Sequence, residues 1–214
     1  MENSYDICII GGGAAGCAAA YIASKSGLKT ALIEKNNFLG GLMTGGLVVP
    51  VMKTNDENIN IEFYTDLVSN LADVGGEIEY FDKNKGWFNP ELLKIILDKM
   101  LKDKGVDIFF EMEPKKVHES NSKIQFIEFD SNLLSLSIYS KYFVDATGDA
   151  AIFKMLNEKF YEQEKEKQAC SLRFTMSGVN LEKLKNFLIK TDSNKEVTNW
   201  CEVNGCIHLT AAYT

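Results

Sequence analysis

The chain has one arginine, Arg173, and two histidines, His118 and His208. A surface that tracks a nucleic-acid backbone needs clustered Lys and Arg, and here the formal net charge is −7, so no nucleic-acid partner is expected. No run approaches the roughly 20 consecutive apolar residues of a bilayer span, so no membrane partner is expected. No basic segment followed by an apolar one opens the chain, so no secretory signal is read. The five cysteines, Cys8, Cys17, Cys170, Cys201 and Cys206, form no C-x-x-C pair. That argues against a zinc or disulfide framework. We expect no metal, and reduced thiols in a cytoplasmic protein. Repeats and low-complexity tracts are also missing. What remains is an ordinary globular composition over 214 residues, enough for one domain and a fraction of another.

What the chain does have is glycine at telling places. Tyr5-Asp-Ile-Cys-Ile-Ile10 reads as a strand buried on both faces of a parallel sheet. Gly11, Gly13 and Gly16 follow with G-x-G-x-x-G spacing: the first permits a tight turn, the second a close approach of backbone to a pyrophosphate, the third close packing of helix on strand. A helix is expected from about Ala14 to Ser26, rich in small helix formers such as Ala14, Ala15 and Ala18, with Gly27 closing it. Its N-terminal N–H groups and positive dipole end would face a diphosphate. The strand Thr30–Ile33 then delivers Glu34, placed to accept hydrogen bonds from adenosine ribose hydroxyls. Together these segments predict a dinucleotide-binding βαβ unit. A lone glycine fingerprint is weak, but strand, helix and acid here agree.

Four glycines, Gly40, Gly41, Gly45 and Gly46, then crowd a segment interleaved with Phe38, Leu39, Leu42, Met43, Leu47, Val48 and Val49. Such backbone is expected to lie against the core or a ligand. Helices are predicted from Asn60 to Val74, ended by Gly75 and Gly76, and from Pro90 to Gly105, where Asn89 is the cap and Leu92, Leu93, Ile96, Leu97, Met100 and Leu101 form the buried stripe. Val106–Phe110 should be a third parallel strand. Strands at Lys115–Glu119, Lys123–Asp130 and Leu134–Ser140 should form an antiparallel meander, and Tyr142–Ala146 a separate returning strand into Thr147-Gly148-Asp149. Beyond that point Glu162–Lys167 reads as a solvated charge run, Ser171–Ser177 as a strand and Asn180–Lys190 as a short helix. No firm element is read from Cys201 to Thr214. The expected fold is α/β: a Rossmann-like nucleotide domain over residues 1–150, then the start of a substrate or cap domain over 151–214.

Four segments, Asp6–Gly16, Glu34–Thr44 continuing through Gly46–Pro50, Phe88–Leu92 and Phe143–Asp149, resemble FAD-dependent oxidoreductases of the glutathione-reductase-like flavoprotein superfamily. The resemblance extends loosely to Val179, and the glycine loop after Glu34 is its most specific part. It implies FAD as cofactor, with Gly11, Gly13, Ala14, Ala15 and Gly16 at the pyrophosphate, Glu34 at the ribose and Lys35 beside the adenosine. It implies Gly41, Leu42, Met43 and Thr44 along the diphosphate and ribityl chain, the Val117 backbone at the adenine, and Ala146, Thr147 and Gly148 at a second fingerprint. The implied activity is transfer of hydride or electrons between FAD and a small organic substrate.

The departures from this family bear on function. No cysteine pair follows the glycine loop, so disulfide reduction is not expected. A single dinucleotide fingerprint leaves no dedicated NAD(P)H domain. The family is longer, so the chain is expected to be an N-terminal portion whose activity alone is open. Two other readings stay open: a non-catalytic nucleotide-binding fragment and, less favoured given the acidity, an RNA-modifying flavoprotein. No catalytic residue is read. His118 is expected to be exposed or structurally bonded, His208 not catalytic, and Arg173 in a surface ion pair before a substrate clamp; nothing nearby activates Cys170 or Cys206. Substrate and oligomeric state are also open.

Overall fold

The computed structural model describes residues 3–49, 51, 61–78, 87–158, 178–180, 182–184, 186–187, 199–203 and 206–210, with backbone alone at 61, 77–78, 199–203 and 206–210. In chain order the first elements are β1 (Asn3–Ile10), α1 (Ala14–Lys25), β2 (Thr30–Ile33), a short 3-10 turn (Gly41–Met43), α2 (Ile61–Asp73), β3 (Glu77–Ile78), β4 (Trp87–Phe88) and α3 (Pro90–Asp103). Then follow β5 (Asp107–Phe109), β6 (Glu113–Ser120), β7 (Lys123–Asp130), β8 (Ser135–Asp145), α4 (Ala151–Met155), β9 (Asn199–Val203) and β10 (Cys206–Thr210).

Six strands form one sheet in the order β5-β2-β1-β8-β7-β6. β1, β2, β5 and the second half of β8 run parallel, while β6, β7 and the first half of β8 form the antiparallel meander. One expectation is corrected here. Leu134–Ser140 and Tyr142–Ala146 are not two strands: β8 runs unbroken for 11 residues. Its Ser135–Tyr139 pair with β7 and its Ile138–Asp145 with β1. A strand that pairs with different partners along its length changes its surroundings midway, so no single hydropathy period spans it.

The parallel strands are buried on both faces because each face has its own cover. Ile9 and Leu32 face α1, α2 and α3, joining Tyr21, Leu67, Leu71 and five residues of the α3 stripe, Leu93, Ile96, Leu97, Met100 and Leu101, in one core; Leu92 of the expected stripe is half-buried outside it. Their neighbours Cys8, Ile10, Ala31 and Ile33 face the meander and α4, where Ile127, Phe129, Ile138 and Ile152 complete a second core. Each aliphatic side chain so buried contributes about 1.5–3 kcal/mol.

α3 starts where Asn89 Oδ1 accepts from the N–H groups of Glu91 and Leu92, at 2.9 and 3.3 Å, with Pro90 in the first turn, where its missing N–H costs nothing. α2 is tied to α1 by the Tyr21 hydroxyl, which donates to Asp66 at 2.6 Å, and by an ion pair between Lys25 and Glu62. Within the predicted helix Asn180–Lys190, the described residues 182–184 and 186–187 are helical, and Asn180 Oδ1 caps Lys183 N–H at 3.0 Å. The reading that nothing firm lies beyond Cys201 is also corrected: β9 and β10 form an antiparallel hairpin. The Asn204-Gly205 dipeptide between them was the available signal. Glu162–Lys167, Ser171–Ser177 and Arg173 lie outside the described residues. Among the described residues no helix is long and apolar enough to cross a membrane.

Candidate functional site

The parallel strands bring their carboxyl ends level. Ile10 at the end of β1 lies beside Ile33 of β2 and Asp145 of β8, so the next residues, Gly11, Glu34 and Ala146, share one edge of the sheet. This is where open α/β sheets bind ligands. Gly11 N–H donates to Ile33 O at 2.7 Å and Ala146 N–H to Ile10 O at 2.8 Å.

The three fingerprint glycines have different surroundings. A Cβ on Gly11, whose φ is +104°, would lie 2.4 Å from Ala146 O, and one on Gly16 only 1.8 Å from Gly11 O. Both are therefore required by packing of the strand ends and of α1 against them. A Cβ on Gly13 would meet nothing within 4 Å. Gly13 is the N-cap of α1 and makes no side-chain cap; the first turn contains no acid, and Ala14 and Ala15 are exposed. The helix thus offers uncapped N–H groups and its positive end to open space, the arrangement that receives a phosphate.

Beneath the turn, Glu34 is 5 % exposed. Its Oε2 accepts from Gly12 N–H at 2.6 Å, and its Oε1 from Asn36 N–H and Asn36 Nδ2, both at 2.7 Å. Three N–H donors make a buried carboxylate tolerable. Gly12 O in turn accepts from Gly40 N–H at 2.8 Å and from the Cys17 thiol at 3.2 Å. Burial pushes that thiol up to about 12. It is a packing group and not a nucleophile.

The glycine loop folds back onto the fingerprint. Gly40 bridges Gly13, and a Cβ on Gly41 would come 3.0 Å from Gly13 Cα, so only a bare backbone passes there. Thr44 is 1 % exposed, and its hydroxyl donates inward to Leu39 O at 2.6 Å, which braces the loop from beneath. Met43 packs on the helix-side core, whereas Leu42 is 74 % exposed. Lys35 is exposed beside Glu34.

The second fingerprint is organised by a residue the sequence reading had not singled out. Asp145 Oδ1 accepts from Thr147 N–H at 3.1 Å and from its hydroxyl at 2.7 Å; Oδ2 accepts from Ile152 N–H at 2.9 Å. Thr147 Oγ1 accepts from Ala151 N–H at 3.0 Å. Strand end, Thr147-Gly148 turn and α4 are thereby one unit, a pattern signalled by an acid two residues before a threonine at a strand end. Asn36 was also missed, because nothing local marks an amide two residues beyond an acid as its partner.

Val117 sits within β6, paired with Ile127 and packed on the meander-side core. Met112, leading into β6, donates its N–H to Glu34 O at 3.1 Å, so β6 sets out from behind the acid. His118 has its Nε2 2.6 Å from Glu128 Oε1 and stacks on Phe126, a structural bonding. His208 lies on β10. Among the described residues no group of three or more His, Cys, Asp or Glu side chains could hold a metal ion.

Fold and site define a nucleotide-binding α/β protein whose strand ends, glycine turn and uncapped helix fit a dinucleotide. The family follows from comparison: residues 6–210 match the FAD dependent oxidoreductase family. The chain belongs to that family, and its cofactor is FAD. Digeranylgeranylglycerophospholipid reductase of Sulfolobus acidocaldarius is 30 % identical over 169 residues, covering 72 % of this chain and 36 % of that protein. Thiamine thiazole synthase of Pyrococcus horikoshii is 29 % identical over 157 residues, covering 68 % and 58 %. This chain therefore spans about a third to under six-tenths of the length of these relatives. Among solved structures, THI4 of Thermovibrio ammonificans shares the fold with a TM-score of 0.55 at 20 % identity, covering 73 % of this chain and 62 % of that one. L-proline dehydrogenase from P. horikoshii does so with a TM-score of 0.56 at 17 % identity, covering 75 % and 58 %.

Proposed function

We propose that this chain holds FAD across the carboxyl edge of its parallel sheet and serves an oxidoreductase that moves hydride or electrons between FAD and a small organic substrate. The observation that carries this reading is the open space at Gly13, directly at an uncapped helix N-terminus and above a buried carboxylate. In it, Gly13, Ala14 and Ala15 receive the diphosphate through backbone N–H groups, while Gly11 and Gly16 shape the turn. Glu34 accepts from the ribose and Lys35 borders the adenosine. Gly41, Leu42 and Met43 run along the diphosphate and ribityl chain, braced by Thr44; the Val117 backbone meets the adenine, and Ala146, Thr147 and Gly148 close the opposite side. The flavin ring supplies the redox chemistry once bound, and the protein supplies orientation and exclusion of water.

Membership of the narrower glutathione-reductase-like superfamily is part of this proposal, supported by the acid-to-glycine-loop segment Glu34–Thr44. So is the division into a nucleotide domain of residues 1–150 and a partial substrate domain of 151–214. A reducing, cytoplasmic setting suits the free, buried thiols of Cys8 and Cys17. The relatives are named for unlike substrates, so none is carried over to this chain. Heat denaturation of the flavin-loaded protein and chromatography of the released chromophore test the reading. FAD is expected; FMN or a nicotinamide nucleotide would overturn it. Anaerobic mixing with NADH or NADPH should bleach the flavin slowly at most, because the single fingerprint is occupied.

A further inference from the structure

We propose that Glu34 presents the nucleotide with one hydrogen-bond acceptor and not two, and that Asn36 is the positioning residue that sets this number. This rests on the nucleotide-site reading above and deepens it. An ionised carboxylate has about four lone-pair positions, two on each oxygen. Asn36 fills both on Oε1, through its main-chain N–H and its Nδ2, each at 2.7 Å. Gly12 N–H fills one on Oε2, at 2.6 Å. A single position on Oε2 remains.

The main chain of Asn36 is not free to swing away. Its carbonyl accepts from Glu111 N–H at 3.2 Å, while the neighbouring Met112 N–H donates to Glu34 O at 3.1 Å. The link from β5 to β6 thus clamps the Glu34–Asn36 segment from behind. Gly12 N–H is equally fixed, since Gly12 O is held by Gly40 and Cys17. An adenosine ribose offers two neighbouring hydroxyl donors. One of them is bound by Glu34; the other is left to solvent or to another partner.

The test uses the full chain freed of flavin and titrated calorimetrically with ADP, 2′-deoxy-ADP and 3′-deoxy-ADP. One deoxy analogue should bind roughly tenfold to a hundredfold more weakly than ADP, the range for a hydrogen bond to a charged group. The other should bind like ADP. Asn36→Ala frees a position on Oε1, so in that variant both analogues should bind more weakly than ADP. Asn36→Leu removes the same Nδ2 donor at a similar side-chain size and serves if the alanine variant fails to fold. Comparable losses for both analogues in the wild type, or unchanged discrimination in the Asn36 variants, would overturn the proposal. A wild-type chain that binds neither FAD nor ADP would instead bring down the nucleotide site itself, and this inference with it.

Discussion

Glu34, just past β2, and Asp145, the last residue of β8, both stand at the carboxyl ends of parallel strands, and each spends its carboxylate on protein donors, but over different stretches of chain. Asp145 serves its own turn and the helix that follows, reaching no further than Phe153, eight residues on. Glu34 reaches back 22 residues to Gly12, and it can do so only once β1 and β2 have paired. The first is a local cap that organises itself. The second is a tertiary brace that holds the glycine turn in shape before any ligand arrives, so part of the ordering cost of binding is met by folding.

That contrast breaks first if the turn is not packed as tightly as the structure has it. Gly16→Ala would place a methyl 1.8 Å from Gly11 O. It should lose about 3 kcal/mol or more, at or beyond the upper end of overpacking effects, as read by denaturant unfolding. Gly13→Ala, with nothing within 4 Å, should unfold within about 1 kcal/mol of wild type, the cost scale of a glycine change, yet bind FAD more weakly. Equal stabilities for the two variants would dissolve the distinction between packing glycine and ligand glycine.

Next in size is the brace itself. Glu34→Ala strands the buried Gly12 N–H and should destabilise the flavin-free protein by about 1.5–3 kcal/mol, while FAD affinity drops by a comparable factor, roughly tenfold to a hundredfold. Paired unfolding and flavin titrations check this. A variant with lost affinity and unchanged stability would make Glu34 a pure ligand contact. Asp145→Ala should cost less, about 1 kcal/mol, as for loss of a helix N-cap, with a smaller change in FAD affinity. If it outweighs Glu34→Ala in the same measurements, the local turn and not the brace governs the site.

The smallest effect concerns the thiols beside β1 and the turn. Burial raises both Cys8 and Cys17 from the ordinary 9.0 to about 12, so neither forms an appreciable thiolate at neutral pH. Iodoacetamide should leave both unmodified in the native protein and alkylate them after denaturation, as followed by peptide mapping. Because their folded pKa values are raised, their stabilising contribution is full below pH 9 and is lost as pH rises toward 12. Native-state labelling of Cys17 would mean that the Gly12–Gly40 contact opens readily.

Much of this was legible in the residues because it is local. The strand Tyr5–Ile10, the glycine spacing, the Asn89-Pro90 helix start and the acid at the end of β2 are encoded by chemistry within a few positions of each other. The β9–β10 hairpin was also locally signalled, by Asn204-Gly205, and was overlooked because its flanking strands alternate weakly. The course of β8 was not legible in the same way: its two halves are stabilised by β7 and β1, which lie far apart in the chain, and no window of sequence contains both partners.

The sequence by itself determined the βαβ unit, the family and the identity of Glu34 as the acid beside the glycine turn, since these depend on spacing and on the conformational demands of single residues. Only the tertiary structure decided which glycine faces open space and which faces backbone, that the Thr44 hydroxyl turns inward onto Leu39 O, and that Asn36 donates twice to one oxygen of Glu34. The physical reason is that hydrogen bonds and steric contacts are satisfied between whichever groups folding brings within about 3 Å. For Glu34 and Gly12 that proximity comes from strand pairing across 22 residues, which no local pattern records.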